Sequence, residues 1–102
     1  MARLDIWAPR GSRTRGLLLE LQSNLHALAL PTRLCAPLLP ELTLQRVFPV
    51  LNPVFEIAGR RYAMVTQAKA PYDKERLATW RGNLSEHEDA IIKAIDHLML
   101  GS

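Results

Sequence analysis

The chain has 102 residues, of which 48% are hydrophobic and 23% are charged, so its composition excludes a disordered chain and fits one domain over residues 1–102. No apolar run reaches the roughly 18 residues that a membrane-spanning helix needs, and no signal-peptide pattern opens the sequence, so a cytoplasmic location is expected. The only cysteine, Cys35, excludes an internal disulfide and a cysteine-rich zinc site. Because Cys35 lies in an apolar stretch, we interpret it as a packing residue.

The net charge of +3 conceals a gradient along the chain. Residues 1–81 carry 12 Lys and Arg against 6 Asp and Glu, whereas Lys93 is outnumbered by four acidic residues in the remainder. Three arginines, Arg10, Arg13 and Arg15, fall within the short segment PRGSRTR. Such a cluster suits phosphates or an acidic protein segment, and a solvated loop explains it equally well. The aromatic residues do not alternate with basic ones, so nothing else resembles a nucleic-acid-binding surface.

Three strands are predicted in the first part of the chain. ARLDIWA (2–8) alternates apolar and polar residues with the period of a strand. GLLLELQ (16–22) is too apolar to face water on both sides and predicts a central strand. TRLCAPL (32–38) predicts a third strand, which Pro37 limits to an edge or an end.

The middle of the chain predicts a hairpin. Four prolines between residues 37 and 53 leave room for one helical turn around 42–47. The segment PVFEIAGRRYAMVTQ reads as two strands, 53–58 and 61–66, joined at Gly59-Arg60, because glycine supplies the positive φ of a tight turn. ERLATW (75–80) predicts a short last strand.

A C-terminal helix is the best-specified element. Ser85 and Glu88 have the spacing of a capping box, and acidic residues fill the first turn. At 100° per residue, one face carries Ile91, Ile92, Ile95, Leu98 and Met99. The opposite face carries Lys93, Asp96, His97 and, about 180° from Ile91, Leu100. Many short strands followed by one amphipathic helix predict a small barrel, or a pair of sheets, with a helix across one end.

The chain resembles the CcdB toxins of toxin–antitoxin modules. The segments that carry the resemblance are LELQSN (19–24), PTRLCAPL (31–38), LNPVFEIAGRRYAMVTQ (51–67) and NLSEHEDAIIKAIDHLMLG (83–101). The resemblance implies a mainly β (β-rich α+β) fold: an SH3-like antiparallel barrel with a small extra sheet and a C-terminal α-helix. It also implies a homodimer.

The same resemblance implies a function. Toxins of this family poison DNA gyrase by inserting between its A subunits and trapping the cleaved-DNA complex. They perform no chemistry of their own, so the chain is not expected to be an enzyme, and neither a cofactor nor a metal is expected. A CcdA-like antitoxin with an acidic, disordered tail neutralises the toxin. The arginine cluster Arg10, Arg13 and Arg15 is the predicted antitoxin-binding loop.

The predicted gyrase-binding residues are carried over from the family's C-terminal end. Leu100, Gly101 and Ser102 stand at the last three positions, where the plasmid prototype has Trp, Gly and Ile. Loss of an Ile side chain removes about 1.5–3 kcal/mol per buried copy, which lowers the expected affinity for gyrase.

Four further positions are predicted to touch gyrase. Asp96 and Met99 lie one helical turn before Leu100, and Met99 also falls on the predicted core face. Leu25 and His26 follow the LQSN strand, and a solvated loop position explains His26 equally well.

Three alternative functions follow from the same residues. A toxin homologue that only binds its antitoxin, and one that acts on topoisomerase IV, are both compatible with the altered C-terminal end. A MazF-like ribonuclease shares the barrel but needs a general base, and the only imidazoles are His26, His87 and His97. The last two lie in the acidic helix, a poor neighbour for RNA phosphates, so the ribonuclease is the least favoured alternative.

Overall fold

Seven strands and one α-helix form the regular structure of residues 3–11, 16–21 and 31–101, the part of the chain that the computed structural model describes. The strands are β1 (Asp5–Pro9), β2 (Leu17–Glu20), β3 (Thr32–Pro40), β4 (Val54–Ile57), β5 (Arg60–Met64), β6 (Ala70–Asp73) and β7 (Leu77–Asn83). The C-terminal helix is Glu88–Leu100, and the 3-10 turn Ser85–His87 precedes it.

All seven strands belong to one antiparallel sheet in the order β4-β5-β3-β2-β1-β7, with β6 added beside β3. β3 pairs with β2 along one edge and with β6 and then β5 along the other. The terminal strands of this order, β4 and β7, do not pair with each other, so the sheet curls as a half-barrel. The mainly β fold with a C-terminal helix is thus confirmed, and the expected small extra sheet is continuous with the barrel strands.

Buried side chains lie on both faces of the sheet. The main core, to which the helix contributes, consists of Leu4, Ile6, Leu19, Ala36, Leu38, Phe55, Ile57, Tyr62, Met64, Leu84, Ile91 and Ala94. A second cluster on the other face consists of Leu18, Cys35 and Leu77, with Trp7 and Tyr72 packed against it. Leu18 and Leu19 are neighbours in β2 and belong to different clusters. β2 lies between β3 and β1, so the prediction of a central strand at GLLLELQ is confirmed.

The β4–β5 hairpin is confirmed, but its turn lies one residue earlier than predicted. Ile57 pairs with Arg60, so the two turn residues are Ala58 and Gly59. Both have positive φ, 51° and 78°, as a type I′ turn requires, so the right-handed twist of the strands continues through the turn. The prediction of Gly59-Arg60 as the turn assigned the positive φ to glycine and overlooked Ala58.

The prediction that Pro37 limits β3 to an edge or an end is wrong, because β3 continues to Pro40 and lies between β2 and β5 in the sheet. The carbonyl of Pro37 accepts a hydrogen bond from the Val65 amide, so the missing amide hydrogen faces the same edge. On that edge the partner strand changes from β6, which reaches Cys35, to β5, which begins opposite Leu38. The proline therefore lies where the ladder is interrupted anyway.

Other elements also differ from the prediction, among them β1, which is Asp5–Pro9 and not 2–8. The helical turn expected around 42–47 is a 3-10 turn at Glu41–Thr43. β6 (Ala70–Asp73) was not predicted, since APYD holds a proline and shows no apolar alternation. β7 extends to Asn83, three residues beyond the predicted end, because β1 pairs with it as far as Asp5↔Asn83.

Candidate functional site

The start of the C-terminal helix is fixed to the sheet. The ring of His87 lies 5.1 Å from that of Phe55, centroid to centroid, and Arg3 forms an ion pair with Glu88. The predicted capping box is wrong, because Ser85 lies in the preceding 3-10 turn and no side chain caps the helix at His87. The amide of Ser85 instead donates to Oδ1 of Asn83 at 2.8 Å, so Asn83 ties the end of β7 to this turn.

The buried stripe of the helix is narrower than its sequence predicts. Only Ile91 and Ala94 are fully buried, and Ile95 packs against the core from its border. The placement of Ile92 and Met99 on the core face is wrong, since they are 43% and 67% exposed. The helix therefore contacts the sheet along its first two turns.

The last helical turn presents apolar side chains to solvent. Leu100 is 76% exposed, as its position on the polar face predicts. Gly101 follows with φ 71°, and its amide donates to the carbonyl of His97 at 2.9 Å, which ends the helix in a left-handed cap. Met99 and Leu100 thus form an exposed apolar tip, held by the regular backbone of the helix and its cap.

The structure brings together four of the predicted gyrase-binding residues. Asp96, Met99, Leu100 and Gly101 are all exposed at the end of the helix, within two turns of each other. Leu25, His26 and Ser102, predicted with them, lie outside the described residues.

Arg10 is the one described member of the predicted antitoxin-binding loop. It is exposed, and its amide donates to the carbonyl of Arg76 at 2.8 Å, so the backbone beyond β1 runs beside the turn before β7. This contact places Arg76 next to Arg10, a proximity that no local pattern predicts. Arg13 and Arg15 lie outside the described residues.

A cleft of about 510 Å³ opens between the tip of the β4–β5 hairpin and the strands β1, β2 and β7. Its lining is mixed: Leu17 and Ile57 are among the apolar residues, and Arg60 and Arg81 are the charged ones. None of its described lining residues is acidic. Sequence reasoning did not find this cleft, because only the curl of the sheet brings Arg81 of β7 near the hairpin tip.

Two carboxylates hold the tryptophan side chains of β1 and β7. Trp7 donates from Nε1 to Oε1 of Glu20, and Trp80 donates from Nε1 to Oδ1 of Asp5, each at 3.1 Å. Glu20 also lies 3.8 Å from Nε of Arg33, and both side chains are only 1% exposed. Burial raises the pKa of Glu20, and the Trp7 hydrogen bond and the Arg33 charge partly offset it. These contacts make the polar groups of this face part of its packing.

Cys35 is fully buried, as its apolar surroundings predict. Burial, together with the nearby Glu20 charge, raises the pKa of its thiol to about 12. The thiolate needed for nucleophilic attack is therefore scarce at neutral pH, which agrees with a packing role.

The described residues contain neither a candidate metal site nor a candidate membrane-spanning helix. No group of three or more His, Cys, Asp or Glu side chains in that part of the chain is arranged to hold a metal ion. None of the helices found there combines the length and apolar character that a membrane crossing demands.

Comparison with known protein families gives a match. The family described as CcdB protein matches residues 3–101, almost the full length of the chain. The chain belongs to the CcdB family. Membership of this family implies a toxin of a toxin–antitoxin system. No curated protein sequence matches this CcdB-family chain at a significant level.

Proposed function

We propose that this chain is the toxin of a type II toxin–antitoxin system and that it poisons DNA gyrase by binding the gyrase A subunit through the end of its helix. The observation that carries the proposal is the exposed apolar tip: Met99 and Leu100 are 67% and 76% exposed. Large apolar side chains on a fixed element are the anchors that dominate protein interfaces. The toxin acts as a homodimer, which presents two such tips, and traps the cleaved-DNA complex by binding.

The affinity at stake can be estimated from the exposure of Leu100. Full burial of a leucine side chain contributes about 1.5–3 kcal/mol, and about three-quarters of this one remains to be buried. Each copy then supplies about 1–2 kcal/mol, and the two copies of a homodimer about 2–4 kcal/mol. Loss of both side chains should weaken gyrase binding by roughly 30- to 700-fold.

The test is a cleavage assay with gyrase, supercoiled DNA and ATP, stopped with detergent and protease. The wild-type chain should yield linear DNA. Leu100→Ala should need at least about 30-fold more protein for the same yield. Leu42→Ala is the matched control, because Leu42 is 98% exposed in the 3-10 turn before the hairpin.

Each outcome separates the proposed target from its alternatives. If Leu100→Ala and Leu42→Ala poison gyrase equally well, the helix tip is not the gyrase contact. If the wild-type chain yields no linear DNA with gyrase but does so with topoisomerase IV, the target is the related enzyme. No linear DNA with either enzyme would leave a homologue that binds only its antitoxin.

Asp96 and Gly101 extend the proposed gyrase contact around Leu100, together with Ser102, Leu25 and His26. Asp96 is exposed on the same two turns of the helix, where it can accept hydrogen bonds from a partner. Asp96→Ala should weaken poisoning less than Leu100→Ala does, because a carboxylate at the border of an interface contributes mainly to association rate. Stopped-flow association with the gyrase A subunit measures this difference.

The loop that carries Arg10, Arg13 and Arg15 is the proposed contact for a CcdA-like antitoxin with an acidic, disordered tail. The exposed position of Arg10 supports this assignment, because an exposed guanidinium can bind carboxylates bidentately. Charge reversal of all three arginines should weaken antitoxin binding and reduce its dependence on salt. Unchanged affinity in isothermal titration calorimetry would remove the loop from the interface.

A further inference from the structure

The cleft between the β4–β5 hairpin tip and strands β1, β2 and β7 has an unusual balance of charge. Arg60 and Arg81 lie at its border and are exposed. Neither forms an ion pair or a side-chain hydrogen bond with any described residue. No acidic residue is among those that line the cleft in the described part of the chain. The cleft therefore carries two positive charges with no described residue to neutralise them.

Three other arginines of this chain have carboxylate partners. Arg61, the neighbour of Arg60, binds Glu41 with two hydrogen bonds, 2.8 Å from Nε and 3.3 Å from Nη2. Arg33 is buried against Glu20, and Arg3 pairs with Glu88. Arg60 lines both this cleft and the neighbouring one that contains Glu41, but it forms no ion pair with a described residue. A carboxylate from another molecule could therefore pair with Arg60 and Arg81 in the cleft.

The floor of the cleft indicates what accompanies the carboxylate. Leu17 and Ile57 line it, together with the ring of Tyr62 and the small side chains Ala8 and Ala58. A volume of about 510 Å³ holds more than one carboxylate group, and lies within the range of pockets that take several side chains. Leu17 and Ile57 favour an aliphatic side chain between the arginines, which a nucleic-acid backbone, charged or polar along its whole length, does not provide.

We propose that this cleft binds an extended acidic segment of the antitoxin, with its carboxylates on Arg60 and Arg81 and an aliphatic side chain between them on Leu17 and Ile57. The inference rests on the proposed toxin–antitoxin function and adds a second contact beside the arginine loop. A segment that alternates acidic and aliphatic residues fits, because an extended chain places alternate side chains on opposite sides. The cleft opens between the unpaired terminal strands β4 and β7, where the half-barrel leaves room for another chain.

The test uses a short fluorescein-labelled peptide in which glutamate alternates with leucine, and fluorescence anisotropy with the full chain. The peptide should bind with an affinity that falls as salt is added. Arg60→Glu/Arg81→Glu should weaken binding by about tenfold per arginine, about a hundredfold together. Arg46→Glu/Lys93→Glu is the matched control, since both residues are exposed outside the cleft and the change in net charge is the same. Thermal unfolding confirms that both variants fold.

Several results would overturn the assignment. They are equal loss of binding in the cleft and control variants, equal binding of a peptide with glutamine in place of glutamate, and no binding of the acidic peptide at millimolar concentration. Tighter binding of an RNA oligonucleotide, lost in the cleft variant, would assign the cleft to nucleic acid instead.

The gyrase cleavage assay keeps this inference separate from the proposed function. No helix residue lines the cleft, so the cleft variant should still yield linear DNA. Peptide binding without any linear DNA from the wild-type chain would refute gyrase poisoning and leave the cleft assignment intact. Linear DNA from the wild-type chain, together with unchanged peptide binding by the cleft variant, would support gyrase poisoning and refute the cleft assignment.

Discussion

The buried ion pair between Glu20 and Arg33 provides a sharp test of what holds the second face of the sheet together. The two residues belong to the paired strands β2 and β3, and each side chain is 1% exposed. We expect Glu20→Leu and Arg33→Met to be strongly destabilising as single changes. The double variant should be close to the wild-type chain in stability, or more stable.

The magnitude follows from the distance and the burial. The charges lie 3.8 Å apart, which corresponds to an attraction of about 4 kcal/mol at an effective dielectric constant of about 20. Removal of one partner loses this attraction and leaves the other charge desolvated, a loss of about 3–5 kcal/mol. Because a small domain has a total stability of about 5–15 kcal/mol, a single variant loses a large part of it. Removal of both partners also removes both desolvation penalties, so the double variant recovers the loss.

Urea unfolding, followed by tryptophan fluorescence at one fixed protein concentration, measures the unfolding free energies of the wild-type chain, the two single variants and the double variant. Trp7 donates a hydrogen bond to Glu20, so its emission reports directly on the altered site. The fixed concentration matters because association contributes to the stability of an oligomer. A double-mutant cycle then gives the coupling between the two residues. A loss below about 1 kcal/mol in either single variant, or a double variant as unstable as the summed singles, would refute the reasoning.

Four further predictions follow from individual residues. Burial raises the pKa of Glu20 above its ordinary value of 4.5. The protonated carboxyl therefore stabilises the folded state below that pH, and this stabilisation is lost as the pH rises through the folded pKa. Glu20→Gln should abolish this pH-dependent part of the unfolding free energy, which urea titrations at several pH values measure. Cys35, with a thiol pKa of about 12, should resist iodoacetamide at neutral pH until the chain is unfolded, and rapid labelling of the folded chain would contradict its burial. Ala58→Asn should raise the unfolding free energy by about 0.5–1 kcal/mol, because asparagine tolerates the positive φ of the turn better than alanine, and calorimetry measures the change. Gly101→Ala should fray the last helical turn at a cost of about 1 kcal/mol, seen as faster amide exchange there but not in the core strands.

Local patterns predicted the element types well. Alternation identified β1 and the hairpin strands, the apolar run of β2 predicted a strand buried on both faces, and the amphipathic period identified the helix. These signals succeed because the period of the side chains directly reflects which face is buried. β6 was missed, since two of its four residues are exposed, the other two are only partly buried, and the strand pairs with β3 alone.

Details that depend on packing were not available from the pattern. The sequence places Ile92 on the apolar face of the helix, but packing leaves it 43% exposed. The prediction of the helix cap also depended on packing. Asn83, at the end of β7, accepts a hydrogen bond from the Ser85 amide, and Ser85 lies in the turn before the helix.

Only part of the candidate site was predictable from the sequence. Leu100 was predictable from its angle on the helix, since an apolar side chain on a polar face needs no contact with the core. The proximity of Arg60 and Arg81 was not predictable, because these two residues, 21 positions apart in sequence, line one cleft only when the sheet curls. The neutralisation of Arg61 by Glu41 also needed the fold, as the two residues are far apart in sequence.

The separation of buried and exposed residues along the helix determines how freely its exposed tip can change in sequence. Ile91 and Ala94 anchor the helix, and no side chain beyond Ala94 is fully buried in the described residues. Substitutions at Met99 or Leu100 therefore leave the folding free energy almost untouched while they reshape the surface that a target enzyme would meet. A lineage under selection by new hosts can explore this tip one residue at a time, without first acquiring compensating mutations in the barrel.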